Sequence, residues 1–151
     1  MFGLQEIRYA NSRIGSGREN SLSRAQVADM YGVPTSSVRR AANNSWGVIL
    51  PDGVAYVHVR TQVVRAYYTG AVVLDSGGWH TVTTKDRINR FQHVCRVYSD
   101  RGRWLVNVHM PEGTWTYKFQ DGMTVHANGR TLAANGDRMA GVFKPRTAEG
   151  A

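Results

Sequence analysis

The spacing of the hydrophobic side chains predicts helices in the first third of the chain. Leu4 and Ile7 are spaced as on one face of a short helix, and a loop of small and polar residues follows them. From Ser23 onward, hydrophobic residues recur every three or four positions until Gly32, which ends the helix. Ser21 or Ser23 is the expected N-cap of this helix.

A second helix is expected directly after the first. Residues 34–37 have the composition of a helix start, and Val38, Ala41 and Ala42 follow at helical spacing. The pair at residues 43–44, two asparagines, ends the pattern. These two segments therefore predict two helices joined by a tight turn.

After Trp46 the pattern changes to the alternation of β-strands. Pro51-Asp52-Gly53 has the composition of a hairpin turn. One helix, at about residues 84–95, is expected to interrupt the strands and to place Ile88 and Phe91 inward. The strands are expected at residues 47–50, 54–60, 62–68, 71–75, 79–83, 96–99, 103–110 and 123–126.

The clearest alternation lies on either side of the turn at Pro111. Trp104, Val106 and Val108 share one face of a strand, and the residues at 115, 117 and 119 are all aromatic and share one face of the next. We expect both sets to lie in the hydrophobic core rather than to form stacking platforms for nucleotide bases.

These patterns together predict an α+β fold. An N-terminal helix-turn-helix, in which the hairpin at residues 46–60 takes the place of a wing, would be followed by an antiparallel β-rich region with one inserted helix. The corresponding domains are residues 1–60, residues 61–126 and a weakly ordered tail at residues 127–151.

The segment Ser23–Arg40 resembles the helix-turn-helix of bacterial and phage DNA-binding proteins. Ala28 is the small residue needed where the two helices meet, and Gly32 permits the left-handed conformation of the turn. One position departs from the pattern, because Pro34 stands where a serine usually caps the second helix. The alternative is a helical hairpin that packs on the β-rich region and does not contact DNA.

The resemblance implies that the second helix enters the major groove of double-stranded DNA. Side chains at its start would reach bases or phosphates, and its arginines would reach guanine or phosphate. The DNA-binding residues implied are Arg24, Thr35, Ser36, Ser37, Arg39, Arg40 and Arg60.

The net charge of +8 is compatible with a nucleic-acid partner, since 16 of the 19 basic residues are arginine. The planar guanidinium group suits bidentate contacts to phosphate and guanine. A genome rich in G and C would also favour arginine codons, so the bias alone does not establish the partner.

The start of the inserted helix is a candidate phosphate site, because several polar and basic side chains gather there. Free N–H groups at a helix N-terminus attract anions. The residues that would bind the anion are Thr84, Lys85, Arg87 and Arg90. The alternative is an ordinary capped helix with a solvated outer face.

Residues 74–89, LDSGGWHTVTTKDRIN, resemble a segment of small uncharacterised proteins encoded by bacteriophages. This resemblance implies a phage origin and a place in the cytoplasm of an infected bacterium. It implies no particular activity.

Neither catalysis nor metal binding is indicated by the spacing of the reactive residues. The five histidines do not form metal-binding pairs, and the eleven carboxylates are scattered singly. Cys95 is the one cysteine, and no glycine-rich nucleotide loop is present in the sequence. We therefore expect no catalytic residues, no metal and no cofactor, and the apolar runs are too short to span a membrane.

Two functional hypotheses follow. The first is a phage DNA-binding protein, for example a transcriptional regulator, whose β-rich region could form a homodimer. The second is a host-takeover or anti-defence protein that binds and inhibits a host bacterial protein or nucleoprotein. The first predicts that Arg24, Arg39 and Arg40 share an exposed face, and the second predicts exposed aromatic residues at positions 46, 67 and 79.

Overall fold

Two antiparallel β-sheets and two helices make up residues 21–147, the part of the chain that the computed structural model describes. The helices are α1 (Arg24–Tyr31) and α2 (Val82–Arg90). A 3₁₀ turn occupies Thr35–Ser37. The strands are β1 (Val38–Ala42), β2 (Ser45–Leu50), β3 (Gly53–His58), β4 (Thr61–Tyr67), β5 (Val72–Leu74), β6 (Arg96–Asp100), β7 (Arg103–Met110), β8 (Gly113–Lys118), β9 (Met123–Val125), β10 (Thr131–Leu132) and β11 (Val142–Pro145). The helix predicted around Leu4 and Ile7 lies outside the described residues.

The larger sheet has seven strands in the order β1-β2-β3-β4-β5-β9-β10, and the smaller has four in the order β11-β8-β7-β6. The chain builds five strands of the larger sheet, crosses through α2 to the smaller sheet, and returns to pair β9 with β5. Every strand pair is antiparallel.

One face of the larger sheet packs with the smaller sheet and α2 in a common hydrophobic core. Its fully buried side chains come from both sheets and from the helix, and include Val64, Leu74, Ile88, Val106 and Met123. On the opposite face, α1 covers β1, β2 and β3 and forms a second core with Val27, Val38, Val48 and Val57. The sequence prediction that the apolar face of β7 is buried is confirmed.

Helix α1 begins and ends where its capping residues predict. The Ser23 hydroxyl accepts a hydrogen bond from the Gln26 N–H at 3.2 Å, and the Gln26 side chain accepts one from the Ser23 N–H at 2.8 Å. Gly32 follows in the left-handed conformation, with φ of 64°, and its N–H is directed to the carbonyl groups of Ala28 and Asp29.

The predicted helix-turn-helix, and with it the predicted fold class, is wrong. Where the second helix was expected, the 3₁₀ turn leads into β1, and Val38 pairs with Val48 on β2. Serine and β-branched residues are weak helix formers, and strand pairing also buries Val38, which is 2% exposed, against α1. Asn44, at φ of 57°, closes the turn to β2.

The hairpin proposed as a wing lies inside the larger sheet. Its turn forms as predicted, with Leu50 paired to Gly53, but β3 also pairs with β4 along its whole length. Arg60 lies in the turn between β3 and β4, and both of these strands belong to the larger sheet. The hairpin is therefore not a wing. The strand expected at residues 79–83 is instead a loop and the start of α2.

The C-terminal segment contributes a strand to each sheet. β10 pairs with β9, and β11 pairs with β8. Gly141 fits here because it lies against the ring of Tyr117, where a Cβ atom would come within 2.5 Å. Such close contacts depend on the partner strand, so hydrophobic periodicity within the segment does not reveal them.

Candidate nucleic-acid interface and polar cavity

The arginines of the predicted DNA-binding set do not share one face. Arg24, at the start of α1, places its guanidinium 5.3 Å above the ring of Trp46, and Arg40 lies opposite Trp46 in the β1–β2 register. Arg39 points to the other face of β1, because neighbouring side chains alternate along a strand. Trp46 itself is half-buried, and its Nε1 donates to the Leu22 carbonyl at 2.8 Å.

The remaining members of that set are spread over two turns. Thr35, Ser36 and Ser37 form the 3₁₀ turn rather than the start of a recognition helix. Arg60 is half-buried in the β3–β4 turn. Of the predicted set, only Arg24 lies in an α-helix of the described residues, so no helix there presents the set together to a major groove.

A different group of basic residues lies on the outer face of the smaller sheet. Val97, Val106 and Tyr117 point into the common core, so the alternate residues of the same strands point outward. Lys144 on β11 lies on the same outer face, because it pairs with Thr114 on β8. We call this surface the basic sheet face, and its exposed basic residues are Arg96, Arg103, His109, Lys118 and Lys144.

The cations of the basic sheet face have no carboxylate partner in the described part of the chain. The ion pairs among residues 21–147 are Arg65–Asp52 and Arg87–Asp86, and neither involves this face. Asp100 lies opposite Arg103 in the register, and Asp137 lines a surface pocket with Arg103 and Lys118, but neither carboxylate forms an ion pair with these cations. The positive charge is therefore available to an external anion.

Polar side chains lie between the cations. Thr116 donates a hydrogen bond to Asn107 at 2.8 Å across the β7–β8 pair. His109 and Thr114 are joined by a hydrogen bond of 2.9 Å between Nδ1 and Oγ1. Both pairs add hydrogen-bonding groups to the outer face, on which the half-buried side chains of Tyr98 and Leu105 also lie.

The candidate phosphate residues on α2 separate into two groups. Lys85 donates to the Ser99 hydroxyl at 2.9 Å, and Arg90 is exposed near the end of the helix. Thr84 and Arg87 instead line a cavity of about 260 Å³. The N-cap is Thr81, whose hydroxyl accepts from the Thr84 N–H at 3.1 Å.

This polar cavity lies between the β1–β2 turn, the β3–β4 turn, the loop before α2 and the first turns of α2. Among the described residues that line it, Arg87 carries the one permanent charge. The lining residues are Asn43, Asn44, His58, Val59, Thr61, Val63, Ser76, Trp79, Thr81, Thr83, Thr84 and Arg87.

His58 is held neutral beside this arginine. Burial, and secondarily the positive charge of Arg87, lower the pKa of His58 from 6.5 to about 4. Its Nδ1 lies 2.8 Å from the Ser45 hydroxyl. The cavity therefore combines one cation with neutral hydrogen-bonding groups at neutral pH.

Two buried donors at the cavity have no hydrogen-bond partner among the described residues: Arg87 Nε and Trp79 Nε1. Arg87 is 13% exposed, and its Nη1 contacts the Asp86 carboxylate at 2.9 Å. The Asp86 side chain is 62% exposed, so water screens that ion pair strongly.

The sequence analysis did not identify His58, Asn43 or Asn44 as site residues. They lie 29 to 44 positions before Arg87 in the chain, and no regular spacing connects them. Their proximity depends on the pairing of β1 to β4. The left-handed residues Asn44 and Val59, both at φ of 57°, mark the two turns that meet at the cavity.

Between residues 21 and 147, no group of three or more His, Cys, Asp or Glu side chains is arranged to hold a metal ion. Neither α1 nor α2 is long and apolar enough to cross a membrane.

The chain matches the model of a protein family. The sequence model described as Kyanoviridae Gp96 protein covers residues 35–126, which is more than half of the chain. No curated protein and no solved structure matches it.

Proposed function

The chain belongs to the Kyanoviridae Gp96 protein family of bacteriophages, and we propose that it binds nucleic acid in the cytoplasm of the infected bacterium. The binding surface is the basic sheet face, and double-stranded DNA is the expected partner. The observation that carries the proposal is the presence of four exposed cations on one sheet face without carboxylate partners.

The spacing of these cations suits a phosphate backbone. Strands lie about 4.8 Å apart and residues rise about 3.3 Å along a strand, so the register separates the four cations by about 8–22 Å. That span is shorter than the roughly 34 Å of one DNA turn. Arg96, Arg103, Lys118 and Lys144 could therefore contact neighbouring phosphates of a single DNA segment.

The mechanism would be neutralisation of phosphate charge with release of counterions. Side chains such as Thr116 and Asn107 could add hydrogen bonds to phosphate or sugar. Because the proposed contacts are made by cations to phosphates rather than to base edges, we expect little sequence preference.

Fluorescence anisotropy with a labelled duplex of about 20 base pairs tests the proposal. The double substitution Arg96→Gln/Lys118→Gln should weaken binding at least tenfold, because two phosphate contacts are lost. The matched control is Arg39→Gln/Arg40→Gln, which removes the same charge from β1 and should change affinity little. Equal losses in the two variants would mean that the basic sheet face is not the interface.

Binding to a host protein stays a prediction, as does the homodimer. The aromatic residues expected to be exposed for a protein partner, Trp46, Tyr67 and Trp79, are all half-buried. A complex captured from host lysate that survives nuclease treatment, and that is lost on substitution of the exposed Tyr68, would favour this alternative.

A further inference from the structure

We propose that the polar cavity binds a phosphate group, with Arg87 as the residue that carries the charge interaction. This inference concerns a site separate from the basic sheet face and does not depend on the proposed function. The phosphate is either a free inorganic ion or the terminal phosphate of an oligonucleotide, since both present the same oxygen atoms.

The size of the cavity favours a small group. Pockets for drug-sized ligands usually measure about 300–1,000 Å³, whereas this cavity measures about 260 Å³. Its wall combines the Val59 and Val63 side chains with amides, hydroxyls and one guanidinium. A single phosphate with its hydrogen-bond partners suits this space better than a whole nucleotide.

The charge of the cavity favours an anion. No carboxylate is present among the described lining residues, and the Asp86 partner of Arg87 lies on the solvent side. His58 adds no negative charge, and its neutral ring can donate or accept a hydrogen bond. The Asp121 carboxylate lies behind the wall, where it accepts a hydrogen bond from the Ser76 hydroxyl at 2.7 Å. A bound oxyanion would therefore meet the Arg87 cation inside the cavity and no carboxylate among the described lining side chains.

The cavity also offers hydrogen-bond donors. Asn43 accepts from Arg40 through Oδ1 at 2.8 Å, which leaves its amide NH₂ group as a donor. Thr83 is exposed at the rim and can donate through its hydroxyl. These groups come from two different segments, and phosphate oxygens placed between them could accept from both.

The unpartnered donors at Arg87 and Trp79 support the same ligand. A buried N–H without an acceptor is costly, and in native structures such groups are rare. Both residues line the cavity, so an oxygen of a ligand bound there could accept from them. Phosphate supplies several acceptor oxygens at once.

Calorimetric titration of the full chain with inorganic phosphate at pH 7 tests this proposal. The wild-type protein should bind, and Arg87→Gln should weaken binding at least tenfold. Arg90→Gln is the matched control, because it removes the same charge from the exposed end of α2 and should bind as the wild type does. Circular dichroism of each variant establishes that it is folded.

A milder variant keeps the test valid if Arg87→Gln does not fold. Thr83→Val preserves the shape of an exposed side chain while it removes the hydroxyl, and it should weaken phosphate binding about three- to tenfold.

The source of the phosphate is resolved by a short oligonucleotide with and without a 5′-phosphate. Tighter binding of the phosphorylated form, lost in Arg87→Gln, assigns the site to a nucleic-acid terminus. Binding of inorganic phosphate alone assigns it to the free ion. The proposal is overturned if neither probe binds, or if Arg87→Gln binds as tightly as Arg90→Gln.

Discussion

The titration of His58 should make the stability of the fold depend on pH. Its folded pKa of about 4 lies below the ordinary value of 6.5, which is expected in the unfolded chain. Because the unfolded chain takes up the proton first, stability falls as the pH drops from 6.5 toward 4, and it is fully present above 6.5.

The size of this effect follows from the two pKa values. A difference of one pKa unit corresponds to 1.36 kcal/mol. The difference between 6.5 and about 4 therefore corresponds to about 3.4 kcal/mol in the free energy of unfolding. At pH 4.5 most of the loss has occurred. Since the side chain is only partly buried, water screening reduces the expected loss to about 2 kcal/mol.

Urea unfolding at pH 7 and pH 4.5 measures the effect. The wild-type protein should lose about 2 kcal/mol more stability between these conditions than His58→Gln, which has no titrating ring. Other groups that titrate in this range are common to both proteins and cancel in the comparison. Equal losses in the two proteins would contradict the lowered pKa of His58 in the folded state. In NMR titrations, Arg87→Gln should raise the pKa of His58, because it removes the neighbouring charge.

Four further substitutions test the fold. Leu74→Ala, at a side chain that is 0% exposed, should lower the free energy of unfolding in urea by about 3–5 kcal/mol. Val73→Ala, on the other face of the same strand, should lower it by about 1 kcal/mol or less. Equal losses would contradict the register of β5. Ser23→Ala removes the N-cap hydrogen bond of α1 and should cost about 1 kcal/mol, and an unchanged unfolding midpoint would count against that cap. Arg101→Asn, at φ of 54° in the β6–β7 turn, should raise the melting temperature by about 1–4 °C, because asparagine adopts the left-handed conformation more readily; a decrease would contradict the turn geometry.

The sequence correctly predicted those features that depend only on neighbouring residues, such as helix caps and a tight turn. Ser23 and Gly32 mark the two ends of α1, and Pro51-Asp52-Gly53 marks a hairpin turn that the structure contains. The alternation through Trp104 and Val106 correctly indicated which face of β7 is buried.

Residues 34–44 show why the rest could not be predicted. Val38, Ala41 and Ala42 are spaced as on a helix, but pairing with β2 and packing against α1 make this segment a strand. Both partners are supplied by other parts of the chain. Periodicity within a segment of about ten residues contains no information about them.

Each candidate site also contains some residues that the sequence could identify and others that only the strand pairing brings there. Thr84 and Arg87 were identified from the start of their helix, whereas His58 reaches the cavity only through the strand pairing of the larger sheet. On the basic sheet face, the outward direction of Arg103 follows from the inward Trp104. Lys144 joins that face because β11 pairs with β8, in a segment without clear periodicity.

Nucleic-acid binding through the basic sheet face should weaken steeply as the salt concentration rises. If the four cations of the basic sheet face each neutralise one phosphate, a plot of log affinity against log salt concentration should have a slope of about −3.6. Arg96→Gln/Lys118→Gln should reduce the slope to about −1.8. A slope near zero for the wild-type protein, or one that this double substitution leaves unchanged, would contradict nucleic-acid binding through this face.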